Sequence, residues 1–396
     1  MPTLFGENLT RREFERRVGA ARQVAGVEAV AFDDGPERGV RVLEFRTGGG
    51  LEFSVLIDRS MDIGRFDWRG TPFAWQSGTG FRNPAYLDLE DENGTGFMRG
   101  FSGLLCTCGV DHIRQPDRGP ADHFDLPLRK EIAYPMHGRA AFQPARLTGY
   151  GETWDGDECT LWCEGVVVQA HAMGEHLTLT RRIEAKVGGR EMRVVDTVAN
   201  RGFARTPHMM LYHINMGWPL LDEGARFAAP IRATRAANTP RESQQSGYRT
   251  QAGPTPRFVQ QVFDHDVVPD AKGRVPTALI NDARQIGFMV EYDAKRFICL
   301  QQWQGLGEGV YGFAIEPATS HWGDRTQSAK DGEIVWLEHG EERVYDTVLA
   351  AIDGKDAIAA FDARIAALHP QMTDEFPVRT AQPAAGPYVT TLPRKR

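Results

Sequence analysis

Residues 176–200 read "HLTLTRRIEAKVGGREMRVVDTVAN", and this stretch decides the fold class. Leu177, Leu179, Ile183, Ala185 and Val187 occupy alternate positions, while the intervening residues are mostly polar. That period of two places one apolar row on one face of a half-buried strand. Arg181 is the single break in the row. Gly188-Gly189 then supplies the two-residue turn that closes an antiparallel hairpin onto "REMRVVDTVAN". Working outward in both directions, the same texture recurs in "GVRVLEF", "LEFSVLI", "TLWCEGVVVQAHA", "TPHMMLYHIN", "IGFMVEY", "RFICLQQW", "VYGFAIE" and "RVYDTVLA". Helical signals are confined to the ends: Thr10 to about Ala21, with Thr10 and Glu13 spaced as a capping box, and Gly354 to Leu368. So many strands with so few helices predict an all-β chain, a large antiparallel β-sandwich or barrel, with a short N-terminal helix and a C-terminal helix.

No Pro-rich or charged linker interrupts the strand pattern, so we expect one domain over residues 1–396. Residues 1–24 are expected to form a helical extension and residues 370–396 a Pro-rich tail. Loops spanning Gly78 to Gly103 and Ala236 to Arg257 are longer than usual connections, a length typical of functional or mobile segments.

The composition excludes several classes. With 396 residues, 41% hydrophobic and 25% charged, the chain belongs with globular proteins that bury a large core. A net charge of -7 argues against a broad nucleic-acid-binding face. No apolar run reaches membrane-helix length, and "MPTLFGENLTRREFERR" lacks the order of a secretory signal, so the expected location is the cytoplasm. Five cysteines without an export signal read as reduced thiols. Cys106, Cys108, Cys159 and Cys163 are expected to be small buried hydrophobes rather than a zinc ribbon. There is no dinucleotide fingerprint, P-loop, nucleophile elbow or zinc helix. Asp111, His112, Asp122, His123 and Asp125 in "GVDHIRQPDRGPADHFD" read as a solvated loop, with a divalent ion as the alternative, and neither metal nor cofactor is expected.

Three segments put polar groups where strands are otherwise apolar. In "VYGFAIEP", Gly312, Ala314 and Glu316 share a face that is bare until it reaches a carboxylate, which is costly to bury unless paired or protonated. In "MMLYHINMGWPLL", His213 and Asn215 share a face with Met209 and Leu211, while Tyr212 and Ile214 face away; an imidazole there suits proton transfer near neutral pH. "FMRGFSGLLCTCG" and "YPMHGRAAF" place Arg99 and His137 beside glycines.

With these segments in this order, the chain resembles the aldose 1-epimerase (galactose mutarotase-like) superfamily, in particular its uncharacterised aldose 1-epimerase family subgroup. The likeness runs from about "LIDRSMDIGRFDWRG" to "VLAAIDG". "MRGFSGLL" looks like the Arg-Gly-Gly segment, "MHGRA" the His-Gly segment, "LYHIN" the acid segment and "AIEP" the base segment of those proteins. Where well-characterised mutarotases read His-x-Tyr-Phe-Asn, this chain reads His-Ile-Asn.

The resemblance implies a mutarotase-like supersandwich with His213 as general acid, Glu316 as general base, and Arg99 and His137 as sugar contacts. Asn215, Gln302 and Trp303 are further expected contacts. Trp303, Tyr212, Phe101 or Trp322 would wall one sugar face, and Asp264 is a weak candidate for the acid that holds hydroxyls. Arg59, Arg99 and Arg139 would suit a grip on hydroxyls or on an anionic substituent. Gly312 and Ala314 would clear room for the ring.

The implied activity is anomer interconversion of a monosaccharide or modified sugar by acid/base ring opening. The alternatives are a non-catalytic carbohydrate-binding or regulatory protein, or a polysaccharide lyase or hydrolase, on the same fold. The expected partner is a small sugar, not nucleic acid or membrane, with a homodimer left open.

Overall fold

The computed structural model describes residues 1–126, 128–238, 246–368 and 370. The expected Pro-rich tail after residue 370 lies outside them, as does part of the loop from Ala236 to Arg257. An eight-stranded and a twelve-stranded antiparallel sheet dominate the architecture. The hairpin of the opening stretch is present as His176–Lys186 paired with Glu191–Asn200 across the Gly-Gly turn, within the eight-stranded sheet. Leu177, Leu179 and Ile183 turn inward there, against residues such as Phe53, Ile63 and Tyr212 of the other sheet.

The break in the apolar row has a purpose. Arg181 is fully buried between the sheets. It donates from Nε and Nη2 to the two carboxylate oxygens of Asp196 at 2.8 and 2.6 Å, and from Nη1 to Asp62 at 3.1 Å. The Tyr212 hydroxyl donates to Asp196 at 2.5 Å, and the Thr107 backbone N–H and hydroxyl donate to Asp62 at 3.0 and 2.5 Å. Arg181 and Asp196 come from one sheet and Asp62, Thr107 and Tyr212 from the other, so the charges are paired and hydrogen-bonded across the core, the condition under which buried charge is tolerated.

Five strands of the twelve-stranded sheet matter for function: β1 (Leu105–Val110), β2 (Thr206–Gly217), β3 (Gln261–Val267), β4 (Cys299–Gly307) and β5 (Val310–Ala318). Their spatial order is β3, β4, β5, β2, β1. One side of β2 (Met210, Tyr212, Ile214) enters the core between the sheets, and the other (Met209, Leu211) joins a separate apolar cluster with Trp75, Phe97, Phe101 and Trp303.

The N-terminal helix is shorter than expected. Thr10 and Glu13 form their reciprocal cap, but the helix spans only Arg11–Glu15, followed by a single turn at Ala21–Gln23. Gly19, costing ~1 kcal/mol inside a helix, falls in the gap. The C-terminal helix is Lys355–Ala367 and buries Ile358 and Phe361 against Ile280 and Ile352 of the eight-stranded sheet. All five cysteines are free and buried, as expected. No helix among the described residues is long and apolar enough to cross a membrane.

Candidate functional site

On the face of the twelve-stranded sheet turned away from the core, a pocket of about 50 Å³ is lined by His213, Glu316, His137, Arg114, Phe101 and Trp303, among others. Met98, Gln115, His137, Gln260 and Trp322 are the partly exposed members of the lining.

Strand pairing explains the meeting of the two central groups. Asn215 lies opposite Ala314 and Ile214 opposite Ile315, so alternate residues of β2 and β5 share the outward face and bring His213 beside Glu316. His213 Nε2 stands 3.3 Å from Glu316 Oε1. The two face each other off the line of a hydrogen bond, and Glu316 Oε1 is buried without a hydrogen-bond partner.

The tautomer of His213 is set from behind. Asn215 donates from Nδ2 to the Gly103 carbonyl at 2.9 Å and to the His213 carbonyl at 3.1 Å. Its Oδ1 is thereby left to accept from His213 Nδ1 at 2.5 Å. Nε2 is then the ring atom free to accept a proton on the Glu316 side.

Burial sets the charge states. Desolvation pushes the Glu316 carboxyl up to about 8, opposed only by the field of Arg114. Desolvation likewise pushes the His213 imidazole down to about 3, against the pull of Asn215. Although the separation is that of an ion pair, dry surroundings favour a neutral imidazole beside a protonated carboxyl.

Rings enclose the pair. Phe101 and Trp303 meet His213 edge-on at centroid distances of 4.7 and 5.6 Å, and His137 lies 5.7 Å away. Trp303 donates from its indole to Gln260 at 2.9 Å. His137 has a positive φ of 59°; its backbone N–H donates to the Arg114 carbonyl, and its Nδ1 accepts the Arg114 N–H at 3.3 Å. Nε2 is therefore the N–H-bearing nitrogen of its neutral ring, and burial, followed by the fields of His213 and His112, holds His137 well below the ordinary histidine range. The next residue must be glycine: at Gly138, φ is +78° and a Cβ would lie 2.3 Å from the Gly109 carbonyl oxygen.

Arg114, which the sequence reading passed over in an irregular stretch, is buried beneath the pocket. Its Nη1 and Nη2 donate to the carbonyls of Gly323 and Ser320 at 2.9 and 2.8 Å, while its Nε has no partner. Desolvation lowers it to about 10, with Cys299, Asp264 and Glu316 pulling the other way.

Of the expected contacts, His137 and Trp303 line the pocket and Asn215 backs His213. Arg99 does not reach it: the side chain is exposed and paired with Glu92 in a different surface hollow. Arg59 is buried elsewhere, donating to the carbonyls of Gly80 and Gly100 and lying over Phe142. Arg139 pairs with Asp111 and Glu90.

Gln302 points the other way, bonding His265 at 3.1 Å and the Tyr248 carbonyl at 2.9 Å. Gln301 is the residue opposite Glu316 across β4 and β5, and its Oε1 is buried without a partner. Tyr212 faces the core, whereas Phe101 and Trp322 do line the pocket. The bare face at Gly312 is not open space. A Cβ there would lie 2.9 Å from the Trp75 indole nitrogen and 3.1 Å from Trp303 Cζ3, so the missing side chain makes room for two indoles. The long loop from Gly78 to Gly103 contributes Phe97, Met98 and Phe101.

The profile of a family described as a domain of unknown function, DUF4432, matches residues 37–351. The chain belongs to the DUF4432 family. A comparison with curated proteins returned no match.

Among solved structures, it is similar to a protein of Klebsiella pneumoniae subsp. pneumoniae provisionally described as an aldose 1-epimerase, at 24% identity and a TM-score of 0.81, covering 90% of this chain and 91% of that one. It is also similar to a galactose mutarotase-like protein of Clostridium acetobutylicum, at 15% identity and a TM-score of 0.53, covering 83% and 98%. A galactose 1-epimerase of Lactobacillus acidophilus matches at 10% identity with a TM-score of 0.50, covering 83% and 99%. The DUF4432 chain therefore has the galactose mutarotase-like fold.

Proposed function

We propose that this DUF4432 protein is an aldose 1-epimerase-like isomerase that opens and recloses the ring of a monosaccharide or modified sugar. The observation that carries the reading is the buried His213–Glu316 pair, 3.3 Å apart at the end of an aromatic pocket.

Ring opening removes a proton from the C1 hydroxyl while delivering one to the ring oxygen. Both oxygens hang on the same carbon, so donor and acceptor must be neighbours, as these two are. With His213 as acid and Glu316 as base, the pair acts from its charged form. In the neutral form favoured by burial, Glu316 donates and His213 accepts. Opening and closing are mirror steps in which each group takes the opposite role, so a pair holding a single proton serves both. No redox step is involved.

His137 Nε2–H is a hydrogen-bond donor for a hydroxyl, and Phe101, Trp303 and Trp322 give the ring an apolar wall. About 50 Å³ is less than a pyranose fills, so the sugar enters by displacing the partly exposed Met98, Gln260 and Trp322.

The test is exchange NMR or polarimetry on freshly dissolved single anomers across a sugar panel. We expect acceleration by the wild-type protein and a ~10²–10⁴-fold loss in Glu316→Gln and in His213→Asn, with sugar binding retained. Saturable binding without acceleration by the wild type would replace this reading with a carbohydrate-binding one.

A further inference from the structure

Behind the rim residue Trp322 lies a group of side chains that ring opening does not use. Asp264 on β3, Cys299 at the start of β4 and His321 just beyond β5 are all buried, and their candidate ligand atoms lie within 4.8 Å of one another. The Cys299 thiol faces Asp264 Oδ1 at 2.8 Å, and Arg235 takes Oδ2 at 2.6 Å. His321 Nδ1 faces Glu333 Oε1 at 3.2 Å, and its backbone N–H donates to Glu333 Oε2 at 2.9 Å. A carboxylate behind an imidazole fixes the ring and its tautomer, the usual support of a metal-bound histidine.

We propose that Asp264, Cys299 and His321 bind one zinc-class divalent cation. The ligand atoms are Asp264 Oδ1, Cys299 Sγ and His321 Nε2, with water in the fourth position. A mixed thiolate, imidazole and carboxylate set suits zinc and disfavours calcium or magnesium.

Binding exchanges the Cys299 S–H proton for the S–metal bond and releases the proton to solvent. Without metal, burial and the adjacent Asp264 hold the thiol protonated, while Arg114 and Arg235 favour the thiolate.

The ion would tie together three elements next to the acid–base pair. Ser320 and Gly323 are already held by Arg114, and the Trp322 backbone N–H by Asp264 at 3.3 Å. A metal at His321 would fix the same short segment, which leads directly from Glu316 to the pocket rim. The proposal stands whether or not the pocket turns over sugar.

The test uses untagged full-length protein, stripped by chelator and titrated with Co²⁺. We expect a thiolate-to-cobalt charge-transfer band with tetrahedral d–d bands, displaced by Zn²⁺. Cys299→Ser should abolish the charge-transfer band, and Glu333→Gln should weaken Co²⁺ affinity ~10–100-fold while keeping the band. Near-ultraviolet circular dichroism checks that each variant retains its packing. Natively packed wild-type protein giving no cobalt spectrum, or a spectrum that survives in Cys299→Ser, overturns the proposal.

Discussion

Glu316 and His213 carry opposite consequences for stability, and these can be separated by pH. Glu316 keeps its proton up to about 8 in the fold against an ordinary 4.5, so between those values the native chain binds more protons than the unfolded one and stability falls as pH rises. His213 stays neutral down to about 3 against an ordinary 6.5, so between those values its effect has the reverse sign. Above pH 6.5 only the Glu316 effect remains. Urea denaturation at pH 6.5 and pH 8 should therefore show the wild type losing stability relative to Glu316→Gln, by on the order of 1–2 kcal/mol. An unchanged difference between the two proteins would mean that the carboxyl is ionised in the fold.

His213 and Glu316 were legible as residues because each interrupts an apolar row in a strand. Arg114 was not, since it sits in an aperiodic segment whose Asp, His and Pro neighbours read as loop. Arg59 and Arg99 show the converse failure: both read as arginines suited to grip a sugar, but one satisfies backbone carbonyls and the other a surface glutamate.

At the scale of elements, parity within strands could be read from the sequence and pairing between them could not. Either Gln301 or Gln302 had to face the pocket, and only the register that sets Gln301 opposite Glu316 decides between them. The bare face of β5 at Gly312 was visible too, but its occupants, Trp75 and Trp303, come from other segments. Gly312→Ala should push against both indoles, costing ~1–3 kcal/mol. It should also change the tryptophan emission and raise KM for any sugar that is turned over. A variant with wild-type stability and emission would show that the indoles do not rely on that bare position. At the turn carrying His137, Gly138→Ala faces both a positive φ and a contact with a carbonyl oxygen. Its expected result is a larger destabilisation, read from the thermal midpoint.

For the molecule as a whole, the alternation of residues 176–200 and its recurrence along the chain were enough to indicate an all-β fold. The number of sheets and the partner of each were not indicated, because strand order depends on contacts distant in sequence. Arg181 illustrates the difference: along the chain it is a flaw in an apolar row, and in space it joins the two sheets. Arg181→Met leaves Asp196 and Asp62 buried without their cation and should cost ~3–5 kcal/mol in the denaturation midpoint. A loss within 1 kcal/mol would show that water or protonation replaces the guanidinium at little cost.

Tyr212 and His213 are consecutive, yet one belongs to the joint between the sheets and the other to the pocket. A single inserted or deleted codon in β2 would exchange their destinations, seating the imidazole among hydrocarbon and turning the phenol toward Glu316. Over evolutionary time this strand can therefore change its letters but not its spacing, and relatives should keep its length.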